Sequence, residues 1–204
     1  MHRRETVRAL ILAAGLSKRM GEFKPLLPLR GRTVIENSVW SVLSGGAETA
    51  VVVTGCRADE VESVLRDAFG DRVSFVRNEE YASTEMMRSV QIGAAALPEC
   101  DAFFLLPGDM PVVAPDTFDR LLAAREREKA PVVFPTLDGY RKHPPLIDAR
   151  LIPAITAFDG DGGLRELWKR YESAIRTVAV EDAGVWIDLD TRPAYQKCRQ
   201  KYER

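Results

Sequence analysis

Short apolar runs alternate with stretches of helical periodicity along most of this chain. The apolar runs occupy residues 7–12, 50–54, 73–77, 102–106 and 131–136. The stretches with a helical pattern occupy residues 34–44, 58–69, 86–97 and 115–128. Several runs are almost continuous in Ala, Val, Leu and Phe, as a strand must be when helices cover both faces of its sheet. The alternation therefore predicts an α/β layer fold with a mostly parallel central sheet.

The regularity weakens after residue 137, where we expect shorter elements. These are strands at residues 144–148 and 175–180, and helices at residues 149–158, 163–171 and 192–202. No repeat, low-complexity stretch or linker rich in Pro, Gly and Ser divides the sequence. We therefore interpret residues 1–204 as one domain.

Composition and charge exclude several classes of protein. Twenty-nine basic and thirty acidic residues leave a net charge of -1, which argues against a nucleic-acid or membrane-surface binder. Cys56, Cys100 and Cys198 are far apart and odd in number, and His2 and His143 are the only histidines, so we expect neither a disulfide framework nor a zinc centre. These features favour a cytoplasmic protein. The apolar run near the N-terminus is too short to span a bilayer, and we interpret it as the first strand rather than a signal peptide.

The loop after the first strand is the most informative segment, because ligands of parallel sheets bind beyond the carboxyl ends of the strands. Its small and basic residues are Leu12-Ala13-Ala14-Gly15, Ser17, Lys18, Arg19, Gly21 and Lys24. Small residues let the backbone present its N–H groups to phosphate oxygens. Arg19 can pair with phosphate through its planar guanidinium, and Lys24 adds a point charge. The loop predicts a triphosphate site. The alternative is a surface turn whose basic residues are merely solvated. For Lys18 taken alone, we favour the solvated alternative.

Two familiar phosphate-binding loops do not fit this segment. A Walker loop needs four residues between its glycines and then Lys followed by Ser or Thr, but five residues separate Gly15 from Gly21 and Pro25 follows Lys24. A dinucleotide fingerprint needs G-x-G-x-x-G, which Gly15-Leu16-Ser17 does not match. The segment therefore belongs to another class of phosphate loop.

The string LILAAGLSKRMGEFKPLLPL, from Leu10 to Leu29, resembles the signature of the MobA-like nucleotidyltransferases. That family includes molybdenum-cofactor guanylyl- and cytidylyltransferases, and its wider group includes enzymes acting on sugar phosphates. The resemblance implies a three-layer Rossmann-like nucleotidyltransferase fold with a mostly parallel central sheet. It also implies that Leu12, Ala13, Ala14, Gly15, Ser17 and Gly21 bind the nucleotide and that Arg19, Lys24 and Asp109 are catalytic.

Carboxylates in two further segments are candidates for holding Mg²⁺. Asp109 follows the strand 102–106 in a Pro-Gly turn, where a bound Mg²⁺ would bridge phosphate oxygens. This stretch resembles the family's G-D-M-P motif. Asp188 and Asp190 are alternate residues, so both side chains can face one site if the segment is extended. The alternatives are an ordinary turn aspartate at position 109 and a helix N-cap at Asp190 or Thr191.

Residues for recognition of the base lie after the second and third strands and on the following helix. Thr54 and Asn78 can offer hydrogen bonds to a base or ribose, although each is also common in turns. The segment around Ser89 and Gly93 resembles the start of a helix in the family. The resemblance implies that Ser89 lies near the nucleotide and that Gly93 allows close packing. Glu85 stands at a position where the family has Gly. In the family, L-A-A-G is typical of cytidylyl members and L-A-G-G of guanylyl members. The methyl group of Ala14 therefore favours CTP.

The acceptor side carries weaker signals. Lys142-His143-Pro144 resembles the family's G-H-P stretch, so His143 either lines the acceptor pocket or packs structurally. An anionic acceptor phosphate needs no general base, so positioning and charge neutralisation would suffice for attack on the α-phosphorus. We therefore expect transfer of a nucleotidyl group from an NTP to a phosphorylated acceptor. The family resemblance makes molybdopterin the first candidate for that acceptor. Alternatives are GTP as donor, a sugar phosphate or other phosphorylated alcohol as acceptor, and a nucleotide-sensing or cofactor-carrying maturation protein that contacts a molybdoenzyme.

Overall fold

The computed structural model describes residues 5–17 and 20–203. Its strands are β1 (Val7–Ala13), β2 (Pro28–Leu29), β3 (Arg32–Thr33), β4 (Ala50–Thr54), β5 (Val73–Arg77), β6 (Ala102–Pro107), β7 (Val132–Leu137), β8 (Tyr140–Arg141), β9 (Leu146–Asp148) and β10 (Ile175–Ala179). Its α-helices are α1 (Val34–Ser44), α2 (Ala58–Phe69), α3 (Met86–Ala96), α4 (Pro115–Glu128), α5 (Ile152–Thr156), α6 (Gly163–Lys169) and α7 (Arg192–Tyr202). The alternation read from the sequence is therefore confirmed.

The main sheet has the order β10-β7-β9-β6-β1-β4-β5, with β8 added alongside β7. Strand β1 lies between β4 and β6 and is parallel to both, while β9 is antiparallel to both β6 and β7. The chain leaves β1 toward β4 and β5 and then returns to β6 on the other side of β1. The topological switch point therefore lies between β1 and β6, where a crevice opens at the carboxyl ends of parallel strands.

Helices cover both faces of the sheet. One apolar cluster joins alternate residues of the central strands to α1, α2 and α4, through side chains that include Ile35, Leu65 and Phe118. A second cluster joins the opposite face to α3, α5 and α6, through Val90 and Trp168 among others. The expected three-layer arrangement, with its mostly parallel sheet, is confirmed.

The departures from the expected elements have backbone causes. A helix over residues 149–158 would need the N–H of residue 153, which is proline, so the segment is a 3₁₀ turn at Ala149–Leu151 followed by the short α5. The strand expected from residue 144 begins only at Leu146, because Pro144 and Pro145 carry no N–H for the ladder. The hairpin of β2 and β3 and the short β8 were not predicted. That residues 1–204 form one domain stays a prediction. Among the described residues, no helix has the length and apolar character needed to cross a membrane.

Candidate functional site

A cavity of about 470 Å³ opens at the switch point between β1 and β6. Its size is within the range of small-molecule sites. Of the predicted nucleotide-binding residues, those that line it are Leu12, Ala13, Ala14, Gly15, Ser17, Asn78 and Ser89. Lys24, Asp109 and Asp190 line the same cavity. The fold therefore brings together the phosphate-loop residues and the carboxylates that were separate in sequence.

Lys24 reaches the cavity from the end of the phosphate loop. Its backbone N–H donates to the Ser17 hydroxyl at 3.2 Å, and Pro25 is buried in the 3₁₀ turn that begins at Lys24. The loop is thus closed on itself between the two residues. Arg19, predicted to be catalytic, and Lys18 lie outside the described residues.

The Lys24 ammonium lies between two carboxylates. Its Nζ is 2.5 Å from Asp109 Oδ2 and 3.0 Å from Asp190 Oδ1. Burial alone would lower the pKa of Lys24, but the charges and hydrogen bonds of the two aspartates raise it above its ordinary value of 10.5. The ammonium is therefore fully protonated at neutral pH and neutralises part of the charge of the carboxylate pair.

Asp109 is positioned by close packing of the preceding glycine. Gly108 donates its N–H to Leu12 O at 2.8 Å and accepts a hydrogen bond from Ser38 Oγ at 3.0 Å. A Cβ at residue 108 would lie 2.9 Å from both Leu12 O and Ile35 Cδ1, so only glycine fits this approach between β1 and α1 without a shift. The Asp109 side chain consequently enters the cavity beside the end of β1.

Asp190 is brought to the site by the C-terminal segment. The N–H of Leu189 donates to Asp109 O at 3.3 Å, which joins the two carboxylate-bearing segments directly. Thr191, whose hydroxyl accepts from Ala194 N, is the N-cap of α7, so the Asp190 side chain is left to contact Lys24. The N-cap alternative for Asp190 is therefore wrong, while Thr191 fulfils it.

Asp188 does not line the cavity wall as Asp190 does. The segment that carries both residues is not a β-strand, so the expectation that alternate residues face one site does not apply to it. Burial raises the pKa of the Asp188 carboxyl, and the negative charges of Asp190 and Asp109 raise it further. Asp188 is therefore close enough to both aspartates for their charges to act on it, but it does not line the first cavity.

The residues present fit a divalent cation. Asp109 and Asp190 already direct oxygens at one cationic atom, and carboxylate oxygens are the protein ligands that Mg²⁺ uses together with substrate phosphates. Among the described residues, no three or more acidic, histidine or cysteine side chains converge as a ready-made metal cage. The site thus suits an ion that takes its remaining ligands from a nucleotide.

Asn78 and Ser89 form a buried, hydrogen-bonded pair at the wall of the first cavity. Asn78 Nδ2 donates to Ser89 Oγ at 3.0 Å and to Thr84 Oγ1 at 3.2 Å, and Asn78 Oδ1 accepts from Glu80 N at 3.0 Å. Both hydrogens of the amide and its oxygen are thereby used. Asn78 shapes the loop before α3, and Ser89 is the member of the pair with an oxygen still able to face a ligand.

Three predicted nucleotide-binding residues do not reach the cavity wall. Thr54 is fully buried and donates its hydroxyl to Glu62 Oε1 at 2.8 Å. Gly21 is exposed, with a φ of 73° that serves the turn. Gly93 packs α3 on the sheet, because a Cβ there would lie 2.2 Å from Leu10 Cδ1. The close-packing interpretation of Gly93 is therefore confirmed, and direct contact of these three with a nucleotide stays a prediction without support from their placement.

A second cavity, of about 880 Å³, adjoins the first. The two share Glu85 and Met86 at the start of α3. The walls of the second cavity are aromatic and charged: they include Phe134, Tyr140 and Trp168, the cations Arg141, Arg165 and Lys169, and the acids Glu85 and Glu172. Arg141 pairs with Glu172, and Lys169 pairs with Glu166. The composition suits a flat ligand that carries a negatively charged group.

His143 lines the second cavity, and its role on the acceptor side stays a prediction. Its Nδ1 is 3.3 Å from Leu105 O, and burial lowers its pKa below the ordinary value of 6.5. The ring is therefore neutral at pH 7, with Nδ1–H donating to the carbonyl. This arrangement fixes the ring orientation and leaves no positive charge for an acceptor phosphate.

Sequence reasoning missed Asp182 and the basic side chains of the second cavity. Asp182 accepts hydrogen bonds from Ala114 N and Thr117 Oγ1 at the start of α4, and from Gly184 N. It thereby ties the segment before Asp188 to the segment after Asp109. The only sequence signal was an Asp two residues before a glycine, which is common in turns.

Fold and site together define a nucleotidyltransferase-type α/β protein, and comparison with known proteins agrees. The chain belongs to the MobA-like NTP transferase domain family, whose model matches residues 9–175. It is 31% identical over 192 residues to the nicotine blue oxidoreductase of Paenarthrobacter nicotinovorans, which covers 91% of this chain and 92% of the relative. It is 26% identical over 193 residues to the molybdenum cofactor cytidylyltransferase of Escherichia coli, covering 95% of each chain.

The solved structures agree on the fold. A nucleotidyl transferase from Methanothermobacter superposes with a TM-score of 0.80 at 29% identity and covers 97% of both chains. A Mycobacterium tuberculosis protein solved in complex with manganese superposes with a TM-score of 0.72 at 24% identity, covering 96% of this chain and 98% of its own. The family is therefore one of nucleotidyltransferase enzymes, although one relative carries the name of an oxidoreductase.

Proposed function

We propose that this protein transfers the nucleotidyl group of an NTP, preferably the CMP group of CTP, to a phosphorylated acceptor of the molybdopterin type and releases pyrophosphate. The observation that carries the proposal is the convergence of Lys24, Asp109 and Asp190 on one point of the switch-point cavity. A cation-binding pair of carboxylates and a phosphate loop are the two parts that transfer from a triphosphate requires.

The donor would occupy the first cavity. The backbone of Ala13 to Ser17 would present N–H groups to the triphosphate, and the ammonium of Lys24 would neutralise phosphate oxygens. Ala14, only 6% exposed, would limit the room for the base, which favours a pyrimidine. Asp109 and Asp190 would hold Mg²⁺, which when bound supplies charge neutralisation for the leaving pyrophosphate. The family resemblance and the position after β1 support a role for Arg19 on the phosphates.

The acceptor would occupy the second cavity. Arg165 on α6 would offer positive charge to an acceptor phosphate, Lys169 would do so in exchange for its ion pair with Glu166, and Trp168 would offer an aromatic face. Because Glu85 and Met86 belong to both cavities, the acceptor would meet the donor across the start of α3. An acceptor phosphate is already an anion, so the neutral His143 is not needed as a base and would act by orienting the cavity wall.

The test is pyrophosphate release in the presence of Mg²⁺, with each of the four NTPs against molybdopterin and a small panel of phosphorylated alcohols. We expect turnover with CTP and molybdopterin and its loss by at least ~100-fold in Asp109→Ala. Asp116→Ala is the matched control, because Asp116 is an exposed carboxylate that pairs with Arg120 on α4. Full turnover in Asp109→Ala would remove the metal assignment, and no pyrophosphate with any pair would favour a nucleotide-sensing or cofactor-carrying role.

An oxidoreductase is the second candidate, because a relative with that name aligns over nine-tenths of both chains. Such a reaction would need a reduced dinucleotide, although the first loop does not match the dinucleotide fingerprint G-x-G-x-x-G. The discriminating measurement follows loss of the reduced-nicotinamide absorbance in parallel with pyrophosphate release. We expect pyrophosphate without oxidation of the dinucleotide; the opposite result would replace transfer with reduction.

A further inference from the structure

Lys24 occupies the point at which a divalent cation would contact Asp109 and Asp190. Its Nζ lies within hydrogen-bond distance of one oxygen of each carboxylate. The side chain is only 13% exposed, so the ammonium is held inside the site rather than in solvent. The carboxylate pair therefore has a cationic partner within the protein itself.

An ammonium and a divalent ion cannot share these oxygens without strong repulsion. The two cations would lie a few ångströms apart in a partly buried site, where like charges interact far more strongly than in water. Lys24 also reduces the net charge of the pair from two negative charges to one. Either effect weakens the attraction of the pair for a free metal ion.

We propose that Lys24 is an internal counter-ion that competes with the metal, so that the divalent cation enters only together with the NTP. This inference rests on the proposed nucleotidyl transfer. The phosphates of the NTP would allow the metal to replace Lys24 in two ways. They offer new anionic partners to the Lys24 ammonium, and they bring the cation with its remaining ligands. Metal binding and nucleotide binding are then positively coupled through one side chain.

The local backbone suits such an exchange. The backbone N–H of Lys24 is held by Ser17 Oγ in the phosphate loop, and Pro25 is buried behind it. The anchor is thus on the nucleotide side, while the flexible four-carbon stem extends across the cavity to the carboxylates. The same side chain can therefore reach either set of anions without movement of the main chain.

The small number of metal-ligating side chains at the site also agrees with this exchange. Among the described residues, no three acidic, histidine or cysteine side chains converge on one point. A pair of carboxylates already bound to an ammonium gives a free divalent ion few ligands, whereas a metal–NTP complex arrives with phosphate oxygens in place.

The experiment measures Mn²⁺ binding to the full chain by water proton relaxation, which reports protein-bound Mn²⁺ and needs no turnover. Without nucleotide, we expect Lys24→Met to bind Mn²⁺ about tenfold or more tightly than the wild type. Lys24→Arg, which keeps the charge, should stay near the wild type. Lys197→Met is the matched control, because it removes one exposed charge from α7 and should bind Mn²⁺ as the wild type does.

A second measurement tests the coupling between nucleotide and metal directly. In the wild-type protein, a non-hydrolysable α,β-methylene analogue of CTP should tighten Mn²⁺ binding about tenfold or more, and the gain should be much smaller in Lys24→Met. Tight Mn²⁺ binding to the nucleotide-free wild type, equal to that of Lys24→Met, would overturn the counter-ion role while leaving nucleotidyl transfer intact. Failure of Mn²⁺ to bind in any of these states would overturn both this inference and the metal site of the proposed function.

Discussion

The carboxylate of Asp182 accepts a hydrogen bond of 2.8 Å from the backbone N–H of Ala114. The two residues belong to segments that each carry a catalytic candidate, Asp109 before Ala114 and Asp190 after Asp182. Asp182 also accepts from Thr117 Oγ1 and Gly184 N, at 2.9 Å and 2.7 Å. One side chain therefore caps the start of α4 and holds the C-terminal segment against the metal-site loop.

Asp182→Ala should lower the free energy of unfolding by about 2–3 kcal/mol, because three donors lose a charged acceptor. Urea denaturation measures the loss. Thr117→Val removes one of the three contacts and should cost only about 1 kcal/mol. In turnover assays, Asp182→Ala should raise the Mg²⁺ concentration for half-maximal rate and should raise the KM for CTP only when Mg²⁺ is limiting, because the two bind with reciprocal coupling. A raised KM for CTP at saturating Mg²⁺ with an unchanged Mg²⁺ requirement would contradict this positioning role.

Alanine substitutions at Gly93 and Gly15 should distinguish a glycine needed for core packing from one needed for nucleotide binding. A Cβ at residue 93 would lie 2.2 Å from Leu10 Cδ1 and 2.6 Å from Val53 Cγ2, so Gly93→Ala should destabilise the protein by about 1–3 kcal/mol through overpacking. A Cβ at Gly15 would meet nothing within 4 Å, so Gly15→Ala should leave stability unchanged and raise the KM for the NTP. Thermal unfolding and steady-state kinetics on both variants check the pair. Weakened nucleotide binding in Gly93→Ala at full stability would show that its role is not packing.

His143 should make stability depend on pH. Burial lowers the folded-state pKa of His143, so below its ordinary pKa of 6.5 the unfolded chain binds a proton that the folded protein resists. Stability is therefore complete above that value and falls as the pH falls through it, by at most about 1.4 kcal/mol between pH 7.0 and pH 5.5. His143→Asn keeps a donor for Leu105 O but cannot titrate, so its loss over this range should be smaller. Urea unfolding at the two pH values gives the comparison, and parallel losses in both proteins would exclude this cause.

Ala14 should contribute to the choice of base. Its methyl group lies in the wall of the donor cavity, so Ala14→Gly should admit a purine more readily. We expect the ratio of kcat/KM for CTP over GTP to fall about tenfold, as one methyl group changes discrimination by ~1–3 kcal/mol. Competition between the two nucleotides in one reaction measures the ratio directly. An unchanged ratio would assign base selection to other residues of the wall.

The fold and the donor half of the site could be predicted from sequence because both rest on local patterns. Uninterrupted apolar runs identify buried parallel strands, and the small and basic residues from Ala13 to Lys24 identify a phosphate loop. Asp109 was predictable because it follows a buried strand directly. In each case the information lies within a few neighbouring residues.

The remaining features depend on contacts between distant segments. Thr54, the last residue of β4, was expected to face a ligand, but Glu62 on the next helix accepts its hydroxyl hydrogen bond instead. The contacts of Asp182 with Ala114 span 68 residues of sequence, and no local pattern indicates them. The break at Pro153, by contrast, followed from proline chemistry and could have been anticipated.

The reversed strand β9, which lies between two parallel strands, has a consequence for how such proteins diversify. Apart from Asp190, the residues that line the first cavity all lie between Leu12 and Asp109, whereas the walls of the second cavity come mainly from the hairpin around β8, the turn into β9 and helix α6. Because β9 runs back between β6 and β7, the acceptor-side loops form a separate stretch of sequence that can mutate without disturbing the phosphate loop. An ancestral protein that kept its first cavity could thus acquire new acceptors for its nucleotide, or even a new reaction. Substitutions in the loops that line the second cavity would be enough.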